Sequence, residues 1–273
     1  MRLSTFVSFE SDPQEAIFNA SLPENMKRAA ADGVDGVELQ ISDPDTYDVS
    51  GIRKGMEESG LVVSAINSYN LFRDMSLVLV HEDQKVSDMA VAKFKKCLEI
   101  ASEFNIVPQI GVFRGPAISD KPVSYSEDML VDILKCFAEY AEKVNVTFTL
   151  EATNRYHINW LHTTQDVMRI INRVGSDNIG QTLDLYHMYL EDDNLLSSIC
   201  MAKDVVKNFH FFDSDVLPPG CSNGVLDFKA IIKVLSAINY KGWLGINLVR
   251  SGDVDAGLKK SSAFVKGLIE QYK

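Results

Sequence analysis

The chain has 273 residues, of which 46% are hydrophobic, and a formal net charge of -11. This acidic surplus argues against a nucleic-acid-binding protein, because phosphate contacts need a basic surface. The hydrophobic fraction suits a large buried core, and about 250 residues is a common length for an α/β barrel that forms one domain. Small-molecule chemistry is therefore the favoured class of function.

The cysteines and the N-terminal segment bear on where the protein works. Four cysteines lie far apart and form no CxxC pair, which is typical of reduced thiols and unlike a disulfide framework or a zinc knuckle. They are Cys97, Cys136, Cys200 and Cys221. The N-terminal run meets Glu10 and Asp12 before any signal-peptide core, and no apolar run approaches the roughly 18 residues of a membrane span. We therefore expect a cytoplasmic protein with no membrane segment.

Short β-like runs alternate with amphipathic helical stretches along the whole chain. The predicted strands are residues 3–9, 36–40, 61–67, 107–113, 144–151, 179–184, 205–212 and 243–249. The predicted helices are residues 23–32, 49–59, 86–104, 126–143, 164–174, 195–202, 228–238 and 256–272. Eight strand–helix units without a break in composition predict the α/β class and a single (β/α)8 TIM barrel domain over residues 1–273.

Residues 68–84 are the least regular part of the chain, with several apolar residues and no clear period. One interpretation is a lid or an interface loop, because long irregular segments in compact domains often have such roles. The other is a short extra helix that leads into the next long one. Both interpretations stay open at the level of the sequence.

The run VNVTFTLEATNRY, residues 144–156, ends an apolar alternation in a carboxylate. On a strand, the apolar residues at 144, 146, 148 and 150 share one face, which leaves Thr147, Thr149 and Glu151 on the other. A carboxylate at the end of a buried strand is costly unless something pairs with it. We therefore expect a metal ion or a substrate beside Glu151.

The ends of the later strands supply three more polar residues. In such barrels the chemistry lies at the C-terminal strand ends, and alternation turns Asp184, His210 and Asn247 inward. Together with Glu151 they form an oxygen-rich set that suits Mn²⁺, Mg²⁺, Co²⁺ or Fe²⁺ and also admits Zn²⁺. Each residue alone is more often a helix cap or a core residue. Four on consecutive strands favour a divalent metal site.

Five stretches resemble the xylose-isomerase-like barrels, a family that includes ketose 3-epimerases, keto-glycoside epimerases, inositol-catabolism isomerases and dehydratases, and the endonuclease IV type. They are LEATNRY (150–156), GQTLDLYHMYLEDD (180–193), NFHFFDSD (208–215), GVLDF (224–228) and YKGWLGIN (240–247). The resemblance covers nearly the whole chain. It implies a metal-dependent enzyme of carbohydrate metabolism that acts on a small sugar, with Mn²⁺ preferred, and it suggests a homodimer.

The resemblance also implies roles for individual residues. Glu151, Asp184 and His210 look like three of the metal ligands. Glu151 is also similar to the base that removes the proton next to a substrate carbonyl. His187 resembles the family's substrate-binding histidine, and Arg155 resembles the arginine that braces the site.

Further substrate-binding candidates follow strands five and seven. Tyr156 and Trp160 suit stacking on a sugar ring, or alternatively form a hydrophobic plug over the barrel mouth. Arg155 alternatively pairs only with a strand-end carboxylate such as Glu151 or Asp184. His157 and Asp213 complete the predicted substrate-binding set.

The chain departs from the family pattern along the expected substrate face. Asn247 stands where the family has a glutamate that binds the metal and acts as the second acid/base, and an amide cannot shuttle a proton. Val216 and Val225 replace an arginine and a histidine. His157 and His162 stand where a glutamate and an asparagine are common.

The sequence therefore predicts a divalent-metal-dependent isomerase or epimerase of a ketose or keto-sugar derivative, acting by proton abstraction next to a carbonyl. Without a second carboxylate the proton returns from the same face, from water, or from His187, Asp213 or Glu191. A dehydratase and a non-catalytic sugar-binding barrel stay open as alternatives. The five histidines and the acidic balance disfavour DNA repair.

Overall fold

A closed barrel of parallel strands forms the centre of the molecule, in a computed structural model that describes residues 1–8, 20–248 and 252–272. The strands are β1 (Arg2–Ser8), β2 (Gly36–Gln40), β3 (Val62–Asn67), β4 (Val107–Ile110), β5 (Phe148–Glu151), β6 (Ile179–Asp184), β7 (Val206–Phe211) and β8 (Trp243–Ile246). Each strand pairs with the next in the chain, and β8 pairs with β1. The predicted TIM barrel is confirmed.

Helices connect the strands within the described residues. They are α1 (Leu22–Ala31), α2 (Val49–Ser59), α3 (Tyr69–Met75), α4 (Gln84–Phe104), α5 (Val123–Lys143), α6 (Thr164–Val174), α7 (Leu185–Glu191), α8 (Leu195–Met201), α9 (Phe228–Ala237) and α10 (Val254–Gln271). Single 3-10 turns lie at Pro44–Thr46 and Val112–Arg114. All eight predicted helices are present, with small differences at their ends.

The alternation of β5 separates a helix-facing side from a barrel interior. The Phe148 ring packs against Phe94 of α4 and Phe137 of α5, with centroids 6.0 Å away in both cases. The neighbouring Thr149 points the other way, and its Oγ1 lies 2.8 Å from Oγ1 of Thr182 on β6. Glu151 has the parity of Thr149, so it faces the interior as predicted.

Strands four and five are both shorter than predicted. The fifth begins at Phe148 instead of residue 144, because the preceding residues close helix α5: Asn145 adopts a left-handed φ of 54°, and the Val146 N–H donates to the Ala141 carbonyl. The fourth ends at Ile110 instead of residue 113, and the chain turns into the 3-10 turn. Both corrections concern strand ends, where local backbone hydrogen bonds replace the sheet ladder.

Two short helices complete the connections. Residues 68–84 contain α3, which is the extra-helix interpretation of that segment. Helix α7 was not predicted; it follows β6 directly because the Asp184 side chain caps it by accepting a hydrogen bond from the His187 N–H. The predicted end of strand one, at Phe9, lies outside the described residues. The eighth strand ends at Ile246, so Asn247 and Leu248 follow it instead of belonging to it, and the predicted end at Val249 lies outside the described residues.

All four cysteines are free thiols, and burial raises the pKa of Cys97 to about 12. None of the helices within the described ranges is both long and apolar enough to cross a lipid bilayer.

Candidate active site

A cavity of about 430 Å³ opens at the C-terminal ends of the strands. This volume falls in the range of small-molecule sites, roughly 300–1,000 Å³. Polar side chains from six strand ends line it: Gln40, Asn67, Glu151, Asp184, His210 and Asn247. The predicted inward direction of the late-strand residues therefore places them around one space.

Three of these side chains converge on a common point. Glu151, Asp184 and His210 each offer a ligand atom, and these atoms all lie within 4.8 Å of one another. His210 Nδ1 is 2.8 Å from Glu151 Oε1 and 3.7 Å from Asp184 Oδ2. All three residues are buried. The structure thus brings together three of the four residues predicted to bind a metal.

This donor set fits a divalent cation. Glu151 Oε1 accepts no hydrogen bond of good geometry from the described residues, although His210 Nδ1 is close to it. A buried carboxylate oxygen without a partner is costly, and a metal ion satisfies it. Two carboxylates and one imidazole suit first-row divalent metals, and three protein ligands leave coordination positions open for a substrate.

Glu38 of β2 holds the other nitrogen of the His210 ring. His210 Nε2 lies 3.1 Å from Glu38 Oε1, and the same carboxylate accepts hydrogen bonds from Asn67 Nδ2 at 3.2 Å and Asn208 Nδ2 at 3.1 Å. An ionised carboxylate only accepts, so Nε2 carries the proton. Nδ1 is then the nitrogen that faces Glu151, as in carboxylate–histidine–metal arrangements.

The acidic surroundings change the ionisation of the cluster. Burial by itself lowers the pKa of His210, but the charges of Glu38 and Glu151 and the close contacts with the Asp184 and Glu151 carboxylates outweigh it and hold this pKa well above the ordinary 6.5. Burial opposes ionisation of Asp184, yet contacts with His187 and His210 lower its pKa. A proton on His210 and a divalent cation are therefore alternative partners for the same carboxylates.

Glu38 is not among the residues predicted from the sequence, because that prediction rests on polar residues at the ends of the four later strands and Glu38 lies in the middle of β2. The signal is present in GVELQ, residues 36–40, where alternation places Glu38 inward between Val37 and Leu39. All three residues are fully buried. An acidic residue in the middle of a predicted barrel strand therefore indicates a partner inside the barrel.

Arg114, at the end of the second 3-10 turn, braces the strand end that carries Glu151. Its Nη1 donates to the carbonyls of Gly111 and Glu151, both at 3.0 Å, and its Nη2 donates to those of Trp160 and Leu161 at 2.9 and 3.1 Å. The side chain is fully buried, and burial lowers its pKa to about 10. Arg114 is thus a second candidate, besides Arg155, for the arginine that braces the site.

Gly111 allows the turn after β4 to approach Glu151. A Cβ atom at this position would lie 2.8 Å from Glu151 Oε2, which is closer than side chains tolerate. The absence of a side chain therefore leaves room for the carboxylate.

The predicted residues His157, His187 and Asn247 all line the cavity. The centroids of the His157 and His187 rings are 5.7 Å apart in an edge-to-face arrangement. The His187 N–H donates to Asp184 Oδ1 at 2.8 Å, and His187 Nδ1 lies 2.8 Å from Asn154 Nδ2. Two imidazoles and the Asn247 amide thus form part of the cavity wall.

Four other predicted substrate residues lie outside the cavity lining. Arg155 is 64% exposed and pairs at 2.7 Å with Glu191 of α7 instead of a strand-end carboxylate. Tyr156 is 79% exposed. Trp160 is buried and donates its indole N–H to the Gly115 carbonyl at 2.7 Å, so it packs against the loop after β4.

Asp213, the fourth, organises the loop after β7. Its carboxylate accepts hydrogen bonds from the backbone N–H groups of Ser214 and Leu226 and from the Ser222 hydroxyl. Gly224 packs so close that a Cβ there would overlap the carboxylate. Both oxygens of Asp213 are therefore engaged within residues 213–226.

Known proteins resemble this chain over most of its length. A family model described as the xylose isomerase-like TIM barrel matches residues 26–268. The 3-dehydro-D-guloside 4-epimerase of Escherichia coli strain K12 is 25% identical over 239 residues, covering 84% of this chain and 88% of that protein. An L-ribulose 3-epimerase of Mesorhizobium japonicum is 27% identical over 238 residues, covering 86% and 78%.

Solved structures agree in fold. The crystal structure of 3-keto-D-glucoside 4-epimerase from E. coli has a TM-score of 0.84 to this chain at 22% identity, and the match covers 98% of this chain and 99% of that one. A structure of an L-ribulose 3-epimerase also gives 0.84, at 23% identity, covering 99% and 95%. At such identities the likeness establishes a common barrel.

Proposed function

This chain belongs to the family of xylose isomerase-like TIM barrels, and on that premise we propose that it is a divalent-metal-dependent isomerase or epimerase of a ketose or keto-sugar derivative. The proposal rests on the convergence of Glu151, Asp184 and His210 within 4.8 Å in a cavity of suitable size. Relatives that are named as epimerases of ketoses and keto-glycosides support the substrate class.

The metal site consists of Glu151, Asp184 and His210, with the Asn247 amide oxygen as a fourth ligand and Mn²⁺ as the preferred ion. When bound, the cation supplies positive charge to the substrate carbonyl oxygen as a Lewis acid. Asn247 contributes no charge, so the site carries one negative charge fewer than it would with a glutamate at this position. Weaker metal binding than in a four-ligand site with three carboxylates is the expected consequence.

Glu151 acts as the base that removes the proton next to the carbonyl. Its carboxylate faces the cavity, and its backbone carbonyl is fixed by the buried Arg114. Gly111 leaves space for the oxygen that approaches it. A positioned general base typically contributes about 10² to 10⁴ in rate.

Two of the side chains that the sequence offers as proton donors for the return step, Glu191 and Asp213, have other partners in the structure. Glu191 is bound to Arg155 at 2.7 Å, and Asp213 is engaged in its own loop. His187 lines the cavity. We therefore assign the return of the proton to three donors with different outcomes. Glu151 returns it on the same face to the neighbouring carbon, which gives isomerisation, whereas epimerisation needs delivery to the opposite face by His187 or by water.

Deuterium exchange tests the proposal directly. Protein loaded with Mn²⁺ is incubated in D₂O with a panel of ketoses and keto-glycosides, and carbon-bound deuterium is measured by mass spectrometry and NMR. Glu151→Gln should reduce uptake by about 10²-fold or more. Glu103→Gln makes the same chemical change at an exposed ion pair with Arg53 and should leave uptake unchanged. No uptake across the panel, with metal demonstrably bound, contradicts the proposal.

A non-catalytic sugar-binding barrel is the second candidate, and the observation that favours it is Asn247 in the cavity lining. Asn247→Glu restores the carboxylate that the family uses as second acid/base. If the wild type is inert and this variant gains proton exchange, the binding function is favoured.

A product lighter by one water would instead identify a dehydratase, because the same enolate can eliminate a β-hydroxyl.

We also propose a homodimer that acts on its sugar in the cytoplasm, as the family resemblance suggests. The four free thiols suit a reducing compartment. Sedimentation equilibrium of the purified chain distinguishes a dimer from a monomer or a larger assembly.

A further inference from the structure

The orientation of one buried amide determines the chemistry of His187. Asn154, in the segment after β5, is fully buried, and its Oδ1 accepts a hydrogen bond from the backbone N–H of Tyr156 at 3.0 Å. A backbone N–H can only donate, so the amide atom that faces it must be the oxygen. The atom that lies 2.8 Å from His187 Nδ1 is therefore the amide nitrogen, Nδ2.

This contact fixes the position of the proton on the His187 ring. An amide nitrogen donates and does not accept, so Nδ1 of His187 is the acceptor and carries no proton. In a neutral imidazole the proton then resides on Nε2. His187 lines the cavity, whereas the fully buried Asn154 is not part of its lining. Because Asn154 occupies the Nδ1 edge of the ring, we infer that the edge left for the cavity carries the Nε2–H group.

We propose that Asn154 is a positioning residue that locks His187 in the Nε2–H tautomer and thereby makes it a hydrogen-bond donor to a substrate oxygen. The use of this donor rests on the proposed function, whereas the tautomer is a property of the chain alone. A fixed donor is useful where negative charge develops on a carbonyl or hydroxyl oxygen while Glu151 removes a proton. No rearrangement of the donor is then needed during the reaction.

Contacts on three sides of His187 make this donor rigid. The backbone N–H of His187 is tied to Asp184 Oδ1 at 2.8 Å, and its ring packs edge-to-face with His157. Asn154 holds the Nδ1 atom of the ring. Locking a functional side chain through its neighbours in this way preserves its geometry.

Asn154→Asp tests whether Asn154 fixes the tautomer of His187, because it replaces the amide group that donates to His187 Nδ1 with a carboxylate of nearly the same shape. The aspartate still accepts from the Tyr156 N–H, but it can only accept from His187, so the ring proton should move to Nδ1. Long-range ¹H–¹⁵N correlation NMR identifies the protonated nitrogen. Spectra are recorded on the full chain with bound Mg²⁺, which is diamagnetic, at a pH where the ring is neutral. Loss of the signals in His187→Gln assigns them among the five histidines.

A matched control uses the same substitution elsewhere. Asn194 is exposed and caps α8 by accepting from the Ser197 N–H, a role that aspartate fills equally well. Asn194→Asp should therefore keep the wild-type tautomer of His187. In exchange assays with an active ketose, Asn154→Asp should lower kcat by about 10²-fold, the usual effect of removing one donor to developing charge.

Several outcomes would overturn the inference. A proton on Nδ1 in the wild type contradicts it directly, and so does an unprotonated Nδ1 in Asn154→Asp. If the aspartate variant does not fold, Asn154→Ala removes the donor without adding a charge and should release His187 into a mixture of tautomers; a pure Nε2–H form there refutes the lock. If no ketose is active, the spectra still decide the inference, while only the proposed function fails.

Discussion

Replacing Glu38 with glutamine should weaken metal binding while the barrel stays folded. The His210 Nε2–H donates to Glu38 Oε1 at 3.1 Å, and glutamine keeps an acceptor oxygen of the same reach but loses the charge. The neighbouring Asn208 donates to the other oxygen, and its own Oδ1 is buried without a partner among the described residues. Rotation of the Asn208 amide therefore accommodates the new amide group.

The magnitude follows from the change in one hydrogen bond. A bond to a charged group contributes about 1.5–3 kcal/mol and a neutral one about 0.5–1.5 kcal/mol, so the ring of His210 is held less firmly by about 1–1.5 kcal/mol. Each 1.4 kcal/mol corresponds to roughly a tenfold change in affinity. Loss of the carboxylate behind a ligating histidine typically costs about 10–100-fold. We expect the Kd for Mn²⁺ to rise by this factor.

Isothermal titration of chelator-treated protein with Mn²⁺ measures the effect. Glu103→Gln, which removes an exposed carboxylate, is the matched control and should bind metal like the wild type. Thermal unfolding of the metal-free variant checks that the barrel is intact. A folded Glu38→Gln protein whose Kd stays within about threefold of the wild type would show that Glu38 does not act on the metal through His210.

Three further predictions concern the same region. Because the pKa of His210 is raised on folding, protonation of its ring stabilises the metal-free fold below pH 6.5, and this stabilisation is lost as the pH rises through the raised pKa. Mn²⁺ displaces the same proton, so the affinity for Mn²⁺ should increase over the same pH interval. Denaturation and metal titration at a series of pH values measure the two effects. Arg114→Met leaves four carbonyls without their donor and should lower the free energy of unfolding by about 3–5 kcal/mol in urea denaturation. Gly111→Ala should displace the Glu151 carboxylate, costing about 1–3 kcal/mol of stability and weakening Mn²⁺ binding in titration.

Each of these has a control or a contrary outcome. Metal affinity that does not change with pH would mean that no proton leaves His210. Arg114→Lys keeps the charge and part of the donors, so a loss as large as that of the methionine variant would contradict the bonding account. Gly267, on the exposed side of α10, has no atom within 4 Å of the place that a Cβ would occupy, so Gly267→Ala should stabilise the chain by up to about 1 kcal/mol. If Gly111→Ala and Gly267→Ala changed the stability and the Mn²⁺ affinity equally, a side chain at residue 111 would not crowd Glu151.

Alternation within strands was sufficient to predict which residues face the barrel interior. Glu151, Asp184, His210 and Asn247 all line the cavity, because side chains on a strand have a fixed period of two and parallel strands end on the same side of the barrel. The same rule gave the wrong start for strand five. Helix closure at Asn145 requires a left-handed backbone that an apolar–polar pattern does not reveal.

Pairing between side chains was much less predictable. Arg155 and Arg114 are both arginines beside a strand end, yet one is exposed against Glu191 and the other is buried among carbonyls. The order of residues contains no sign of this difference. It depends on which loops fold over each guanidinium.

The sequence by itself determined the barrel and the three residues that converge in its cavity, because both follow from local periodicity repeated eight times. Only the tertiary structure decided what holds those residues in place. Glu38 lies 172 positions from His210 in the chain, and Asn154 lies 33 positions from His187. Such contacts depend on how distant segments pack, and the direction of each hydrogen bond depends on which group is left to donate, so neither can be deduced from neighbours in the sequence.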